Sequence, residues 1–550
     1  MWRNCREPGA GSRGVGAPVF GLSPEWLLAD GTPVAEAMVL SHPEQLERLR
    51  AACPQAAPTA VLAGDPCFDR MLAARRHRHR FRRALGIRDG QRLLLLNSTW
   101  NPESLFGDGG AADPLPSLLP RLTGELPADG YRLAAVLHPN IWHGHGPGQI
   151  RAWLNRARRG GLTLLDPLEG WRQALIAADA VIGDHGSVTY YAAALGTPVL
   201  LGAAPLDGLD PLSPVAEFVR TAPRLAPHEP LRRQIETLIG RHRALSGPAE
   251  LTTSVPGKSA PLLRETFYRL IGIPEPPEPA LLDPLPLPPY EPPLRTAPLQ
   301  VLTRLLGTGE VTVRRFAESA QEAARETDWE TAPGEESDVV ARAVQPDAQG
   351  KAQVEAHLAV HEDGLDPEVT ALADVIFRYG NADDPRLGPP ESWGAEVLAR
   401  WQNCALAAYI TEPGACTVRT RTGEVVRLTA APSGADPAAY ASALHAALAG
   451  GHAAEGPGGR RPDRMDGRRS PQGDGHVGRL TPRPPWCLSD ALPRPSTPPT
   501  GGCRPARPRP STPPGHCRRP DPGPPQPSSP PVTAVTPPRP GNARPAPGGG

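Results

Sequence analysis

The residues best suited to chemistry lie in short polar runs, each following an apolar run. Gly183-Asp184-His185-Gly186-Ser187 follows Ala180-Val181-Ile182 and precedes a small-residue segment, Val188 to Leu195. Asn97-Ser98-Thr99-Trp100-Asn101 follows Leu93-Leu94-Leu95-Leu96. His138-Pro139-Asn140 follows Leu133 to Leu137. Glycines, a carboxylate, imidazoles and hydroxyls between a strand and a helix suit an anionic ligand. The first N–H groups of a helix lack intrahelical partners, and its dipole favours negative charge there. A different candidate is Val255-Pro256-Gly257-Lys258-Ser259, a G-K-S run before a helix. Thr252 stands where a phosphate-cradling loop needs glycine, and Pro256 interrupts the loop. The Walker A pattern is incomplete, so a translation-factor-type GTPase is disfavoured. His357 and His361 share one face of an alternating strand, and a solvent face is favoured there over a metal pair. No metal and no cofactor is expected.

The elements that must position these runs alternate. Strands are expected at Gln91–Asn97, Leu133–Leu137, Leu162–Leu165, Ala180–Ile182 and Pro198–Leu201. Helices are expected at Cys67–Leu85, Gly148–Arg158, Trp171–Ala178, Val188–Leu195, Leu231–Arg241 and Leu262–Leu270. Short apolar strands separated by helices indicate a parallel, doubly wound sheet. Four strand ends then carry turns, at 97–101, 138–140, 166–170 and 183–187, all on one edge of the sheet and around one crevice. Before them, Ser41 is expected to cap a helix that starts at Pro43. After them, 299–449 reads as a smaller α+β domain. Its strands are expected at Leu299–Leu306, Val311–Phe316, Asp338–Val344, Ala352–His361, Ala405–Ile410 and a hairpin Thr417–Leu428. Helices are expected at Glu391–Gln402 and Pro437–Leu448, and Ala371–Tyr379 suits either state.

The totals set the limits. At 550 residues the chain has room for two or three domains. A formal net charge of zero gives no global pull toward nucleic acid or anionic lipid. The basic run Arg75 to Arg83 reads as a solvated helix face, so no nucleic-acid partner is expected. The eight cysteines form no CxxC pair and suit free thiols. No run of about 18 apolar residues exists to span a membrane. Residues 1–18 are disordered on composition, Pro274 to Pro298 reads as a semi-rigid proline linker, and 450–550 reads as a disordered Pro/Arg/Gly-rich tail. A reading-frame artefact would give the tail the same composition.

Together these residues carry a resemblance. Gly64-Asp65-Pro66 with Asp69, Ser98-Thr99-Trp100, His138-Pro139-Asn140, Ala178 to Val188 with its D-x-x-I-x-D-x-x-S turn, and Gly196-Thr197-Pro198-Val199 resemble CDP-glycerol glycerophosphotransferases. These belong to the GT-B glycosyltransferase superfamily. The resemblance covers about residues 19–272 and is to the C-terminal, donor-holding half. It implies a Rossmann-like fold and a nucleotide-diphosphate-linked donor, CDP-glycerol or a nucleotide sugar. It implies a polyol-phosphate or glycan acceptor in cell-wall polymer synthesis. It also implies a cytoplasmic location, with peripheral association at the inner face of the membrane. Carried over, Thr99 lies near the donor phosphates and His138 neutralises the pyrophosphate or leaving group. Asp184, Gly186 and Ser187 form the donor turn, with the N–H and hydroxyl of Ser187 on phosphate. The chain departs from the family at His185-Gly186, where serine or tyrosine is common. Too few residues precede Gly64 for a second Rossmann domain. The expectation is therefore a donor domain at 59–273, with 19–58 a remnant of the acceptor half. The catalytic residues stay unassigned, turnover requires an acceptor base within reach, and a non-catalytic nucleotide-binding module is the alternative.

Overall fold

The computed structural model describes residues 19, 21–108, 113–306, 310–317, 339–342, 354–381, 384–412, 414–429, 435–450 and 478–480. All of them belong to one compact unit, Met1–Pro485. Segment 1–18 and nearly all of the 450–550 tail lie outside the described residues. Strands are numbered here in chain order. A small hairpin, β1 (Leu28–Ala29) and β2 (Thr32–Pro33), is followed by a parallel pair, β3 (Met38–Leu40) and β4 (Ala60–Leu62), joined through the helix Pro43–Ala52. His42, not Ser41, caps that helix, its Nδ1 accepting the Glu44 N–H at 3.1 Å. Ala60–Leu62 therefore pairs with the N-terminal segment rather than with the large parallel sheet. Leu22, Met38, Leu40, Leu49 and Cys53 form a separate small core under this pair.

The first large sheet has five strands: β5 (Arg92–Ser98), β6 (Tyr131–Leu137), β7 (Thr163–Leu164), β8 (Ala180–Gly183) and β9 (Val199–Leu201). They are all parallel, in the order β7-β6-β5-β8-β9. This is the expected doubly wound α/β arrangement, and the order reverses between β5 and β8. The four leucines of β5 show why the run is continuous rather than alternating. Leu93 and Leu95 enter one core, Leu94 and Leu96 the core on the opposite face. Each is at most 2% exposed, and burying one such side chain is worth about 1.5–3 kcal/mol.

Two long helices expected from sequence are each broken in two. Cys67–Leu85 becomes Pro66–Ala74 and Arg78–Ala84, joined by a tight turn at Arg75–His77. The break aims Arg78 and Arg82 at Asp179, at 2.6 and 2.7 Å. Both also donate to carbonyls at the end of the helix Trp171–Ala177, those of Ala178 and Ala177. These two arginines of the basic run are thus a helix C-cap rather than a solvated face. Gly148–Arg158 becomes Pro147–Trp153 and Asn155–Arg159.

The proline segment is not a free linker. Leu285 is buried in the core of the first sheet, and the Pro286 carbonyl accepts from Gln173. Arg70 donates to the Asp283 carbonyl and Arg132 to the Glu291 carbonyl. Its prolines cannot donate to a sheet, but the carbonyls of the segment accept from side chains, so the strap packs without regular structure.

The strap leads into a nine-stranded mixed sheet of order β12-β11-β10-β13-β14-β15-β16-β17-β18. Its strands are β10 (Leu299–Leu305), β11 (Glu310–Phe316), β12 (Val339–Arg342), β13 (Val354–His361), β14 (Val375–Tyr379), β15 (Leu406–Glu412), β16 (Ala415–Thr420), β17 (Val425–Thr429) and β18 (Gly478–Leu480). Strands β13, β14 and β15 are parallel and the rest are antiparallel except β17–β18. The ambiguous stretch Ala371–Tyr379 resolves into the end of the helix Pro367–Ala371 and β14. The helix Pro437–Ala449 covers one face and Pro390–Arg400 the other. His357 and His361 are consequently buried, not on a solvent face. Tail residues Gly478–Leu480 add β18 to the edge of β17, whose unpaired backbone groups can recruit a strand of any sequence.

Among the described residues the second sheet meets the first at the amino ends of its strands. Ala128 donates to the Arg315 carbonyl, Ala317 to the Thr123 carbonyl, and Thr296 and Ala297 to the Arg159 carbonyl. Each partner on the first sheet precedes a strand: Ala128 precedes β6 and Arg159 precedes β7. The second domain thus packs, among the described residues, on the amino ends of the parallel strands.

Candidate functional site

Three of the four expected turns converge at the carboxyl ends of β5, β6 and β8. The His138 N–H donates to the Ser98 carbonyl at 3.0 Å. A Cβ on Gly186 would come within 2.9 Å of Thr99 Cβ, so only glycine lets the two turns touch. Beneath them, Asn97 Nδ2 donates to Thr189 Oγ1 at 2.7 Å, tying β5 to the helix Ser187–Ala194. The fourth turn follows the outermost strand β7, and its Asp166 is used locally, accepting the N–H groups of Leu168 and Glu169.

Asp184 is the brace of the site. It is fully buried. Its Oδ2 accepts from Ser98 Oγ at 3.0 Å, the Thr99 N–H at 2.9 Å and the Leu105 N–H at 3.0 Å. Its Oδ1 accepts the Gly186 N–H at 2.9 Å. Four donors converge on two oxygens that have no path to solvent. Asp184 therefore shapes the turn and does not itself face a ligand. Ser98 extends the brace, its Oγ accepting the Phe106 N–H at 2.8 Å. Sequence reasoning missed Ser98 as a site residue, although its place one residue before Thr99 at a strand end was a usable signal.

Gly186 caps the helix Ser187–Ala194 with no side-chain bond. Ser187 is its first residue and is partly exposed, as is Thr99. The helix start thus presents backbone N–H groups and a hydroxyl at the crevice. On the opposite wall, His138 caps the helix Pro139–His145, with Nδ1 accepting the Asn140 N–H at 3.1 Å. That bond fixes the neutral ring's proton on Nε2, making Nε2 a donor. Burial lowers the pKa of His138, against the opposing pull of the Asp184 charge. The Trp100 ring lies beside His138, tilted by 33° with centroids 6.5 Å apart. His185 is buried beside the turn. Its Nε2 lies 3.3 Å from Asn101 Nδ2, its Nδ1 has no protein partner, and burial lowers its pKa.

The G-K-S run is placed elsewhere and is filled. Asp69 Oδ1 accepts the Gly257 N–H at 2.7 Å, and Oδ2 accepts the Ser259 N–H and Oγ at 3.0 and 2.5 Å. A carboxylate of the chain itself occupies the cradle that a phosphate would need. Among the described residues no group of three or more metal-ligating side chains could hold a metal ion. The described cysteines Cys53, Cys67, Cys404 and Cys416 are free. No described helix is long and apolar enough to cross a membrane.

No family profile and no curated protein matches the sequence. Solved structures are matched at low similarity. A variant of the wall teichoic acid polymerase TagF is 14% identical with a TM-score of 0.33, covering 43% of this chain and 58% of that one. A UDP-GlcNAc 2-epimerase from Neisseria meningitidis, bound to UDP-GlcNAc, is 13% identical with a TM-score of 0.28, covering 43% and 61%. A glycosyltransferase from Rickettsia africae is 12% identical with a TM-score of 0.23, covering 44% and 59%. The chain spans about three fifths of the length of each.

Proposed function

We propose that the crevice at the carboxyl ends of β5, β6 and β8 binds a nucleoside-diphosphate-linked donor, in the manner of the C-terminal half of a GT-B glycosyltransferase. The observation that carries this reading is the switch point itself. Strand order reverses between β5 and β8, and the start of the helix Ser187–Ala194 opens there beside Thr99 and His138. Reversal points at strand carboxyl ends are where doubly wound sheets take ligands. A diphosphate needs N–H donors and hydroxyls, which the Ser187 turn supplies. The departing group, CMP from CDP-glycerol or a nucleoside diphosphate from a nucleotide sugar, needs a proton donor or positive charge, which the His138 ring supplies through Nε2. The donor is CDP-glycerol or a nucleotide sugar. The reaction is transfer to a polyol-phosphate or glycan acceptor in cell-wall polymer synthesis, by a protein peripheral to the inner face of the membrane. Asp184 is saturated by its four donors, so it is not the general base; that group must come from the acceptor side.

The test is equilibrium titration of the full chain with CDP-glycerol and with a UDP-sugar, followed by assay of CMP release from the first or UDP release from the second in the presence of a polyol-phosphate or glycan acceptor. Binding with release of the matching nucleotide supports the transferase. Binding without release leaves a nucleotide-binding module that has no turnover. Failure of both nucleotides to bind overturns the reading.

A further inference from the structure

The seam at the amino ends of the parallel strands holds an unbalanced charge cluster. Two carboxylates, Asp129 and Asp436, are buried there. Arg315 takes most of their capacity. Its Nε and Nη2 donate to Asp129 at 2.8 and 2.6 Å, and Nη2 reaches Asp436 at 2.8 Å. Asp436 also accepts Arg295 Nη1 at 2.9 Å, the Tyr379 hydroxyl and the Ala438 N–H. Arg88 is left with long contacts, 3.4 Å to Asp129 and 3.5 Å to Asp436. Among the described residues Arg132, the second residue of β6, has no carboxylate partner. Its Nη2 donates to the Glu291 carbonyl at 3.2 Å, its Nη1 has no protein partner, and the residue is 4% exposed. Burial, joined by the like charges of Arg295 and Arg88 and opposed by Tyr290, pushes its pKa down to about 10. Among the described residues, four guanidinium groups thus face two carboxylates. A buried cation without a counter-ion is costly, and an orphaned donor adds to that cost.

We propose that Arg132, whose buried Nη1 is left without a partner, forms with Arg88, Arg295 and Tyr290 a binding site for a small oxyanion of the phosphate class. A dianion matches the excess of two positive charges, which a bound water would not. Guanidinium groups offer paired N–H donors that suit the spaced oxygens of an oxyanion better than a spherical ion. Entry is from the strap side, where Tyr290 is exposed and Arg88 is a quarter exposed. The bound anion ties three parts together: the amino ends of the first sheet, the proline strap and the leading edge of the second sheet. This site is independent of the proposed donor crevice. It lies at the opposite end of β5, whose seven residues span about 20 Å.

The experiment is thermal unfolding of the full chain with inorganic phosphate, at constant ionic strength made up with chloride. A ligand that binds only the folded state raises the midpoint, and a rise of about 3 °C or more at about 10 mM phosphate is expected. Arg132→Met removes the rise and, without phosphate, melts no lower than the wild type, because an uncompensated charge has gone. Ser187→Ala, at the other end of the sheet, keeps the rise. If Arg132→Met fails to fold, the partly exposed Arg88→Gln serves instead and cuts the rise by at least about half. Absence of a rise in the wild type overturns the site. So does a rise kept by whichever of the two arginine variants folds, or one lost in Ser187→Ala alone.

Discussion

Two helix starts in this chain follow glycine-containing loops, and they have opposite fates. At Gly257-Lys258-Ser259 the loop N–H groups and the Ser259 hydroxyl converge on Asp69, and the helix start is closed by the chain's own carboxylate. At Gly183–Ser187 a carboxylate also gathers donors, but Asp184 collects them from outside the helix, from Ser98, Thr99, Leu105 and Gly186. That leaves the first turn of the helix Ser187–Ala194 facing the crevice. A glycine-serine helix start is therefore only half of an anion site. The other half is where the nearest carboxylate spends its oxygens. In one loop the acid is the occupant, and in the other it is the foundation.

The largest test of this contrast is Asp184→Ala. It strands four donors in a buried setting, and a stability loss of about 4 kcal/mol or more is expected by chemical denaturation. An outcome near zero would mean that Asp184 is not the foundation. Asp69→Ala comes next. It strands three donors at a helix start, and about 3 kcal/mol is expected, with no change in CDP-glycerol affinity. If affinity fell as much as for a crevice variant, the two loops would not be separate.

Acid gives a smaller, graded effect. His138 and His185 beside the crevice, and His357 against His445 in the second domain, are all pushed below the ordinary imidazole range by burial, His357 to about 3. A depressed histidine pKa means that the folded state resists the proton. Its contribution is fully present above the unfolded value of about 6.5 and is lost as pH falls through the folded value. For His357 that window runs from about 6.5 down to about 3. Each such residue can remove up to about 1.4 kcal/mol per pH unit, so denaturation midpoints should fall steadily from pH 7 to pH 4, and less steeply in His357→Leu. The smallest stability effect is that of Ser187→Ala, within about 0.5 kcal/mol, while donor affinity drops about tenfold. Equal stability with unchanged affinity would remove Ser187 from the crevice.

Much of this was legible in the chain. The leucines of β5 and the strand-turn-helix run around Gly183 define the parallel sheet, because a short apolar run between polar turns has few other uses. Four turns were expected to meet, and three of them do; the fourth, after β7, is closed locally by Asp166. Legibility failed wherever the deciding partner was remote. Asp69 lies 188 residues before Gly257, so the loop looked merely incomplete rather than filled. Arg78 and Arg82 looked solvated because Asp179 lies about a hundred residues on. His357 and His361 looked exposed because alternation implies one wet face, whereas helices cover both sides of that sheet. The strap looked unpacked because proline speaks against sheet and helix, but not against side chains reaching its carbonyls.

The seam at Arg315 has a mechanical consequence. A hinge between the parallel-sheet lobe and the second sheet would have to pull one guanidinium away from both Asp129 and Asp436 inside a buried layer. Such a motion would expose charges that have nowhere else to pair. A swing of the second sheet over the crevice as a jaw would therefore carry that cost, and the loop that starts at Thr99 is itself pinned by Asp184. On the proposed reading, closure over a donor falls to a surface that approaches the carboxyl ends from outside these two lobes.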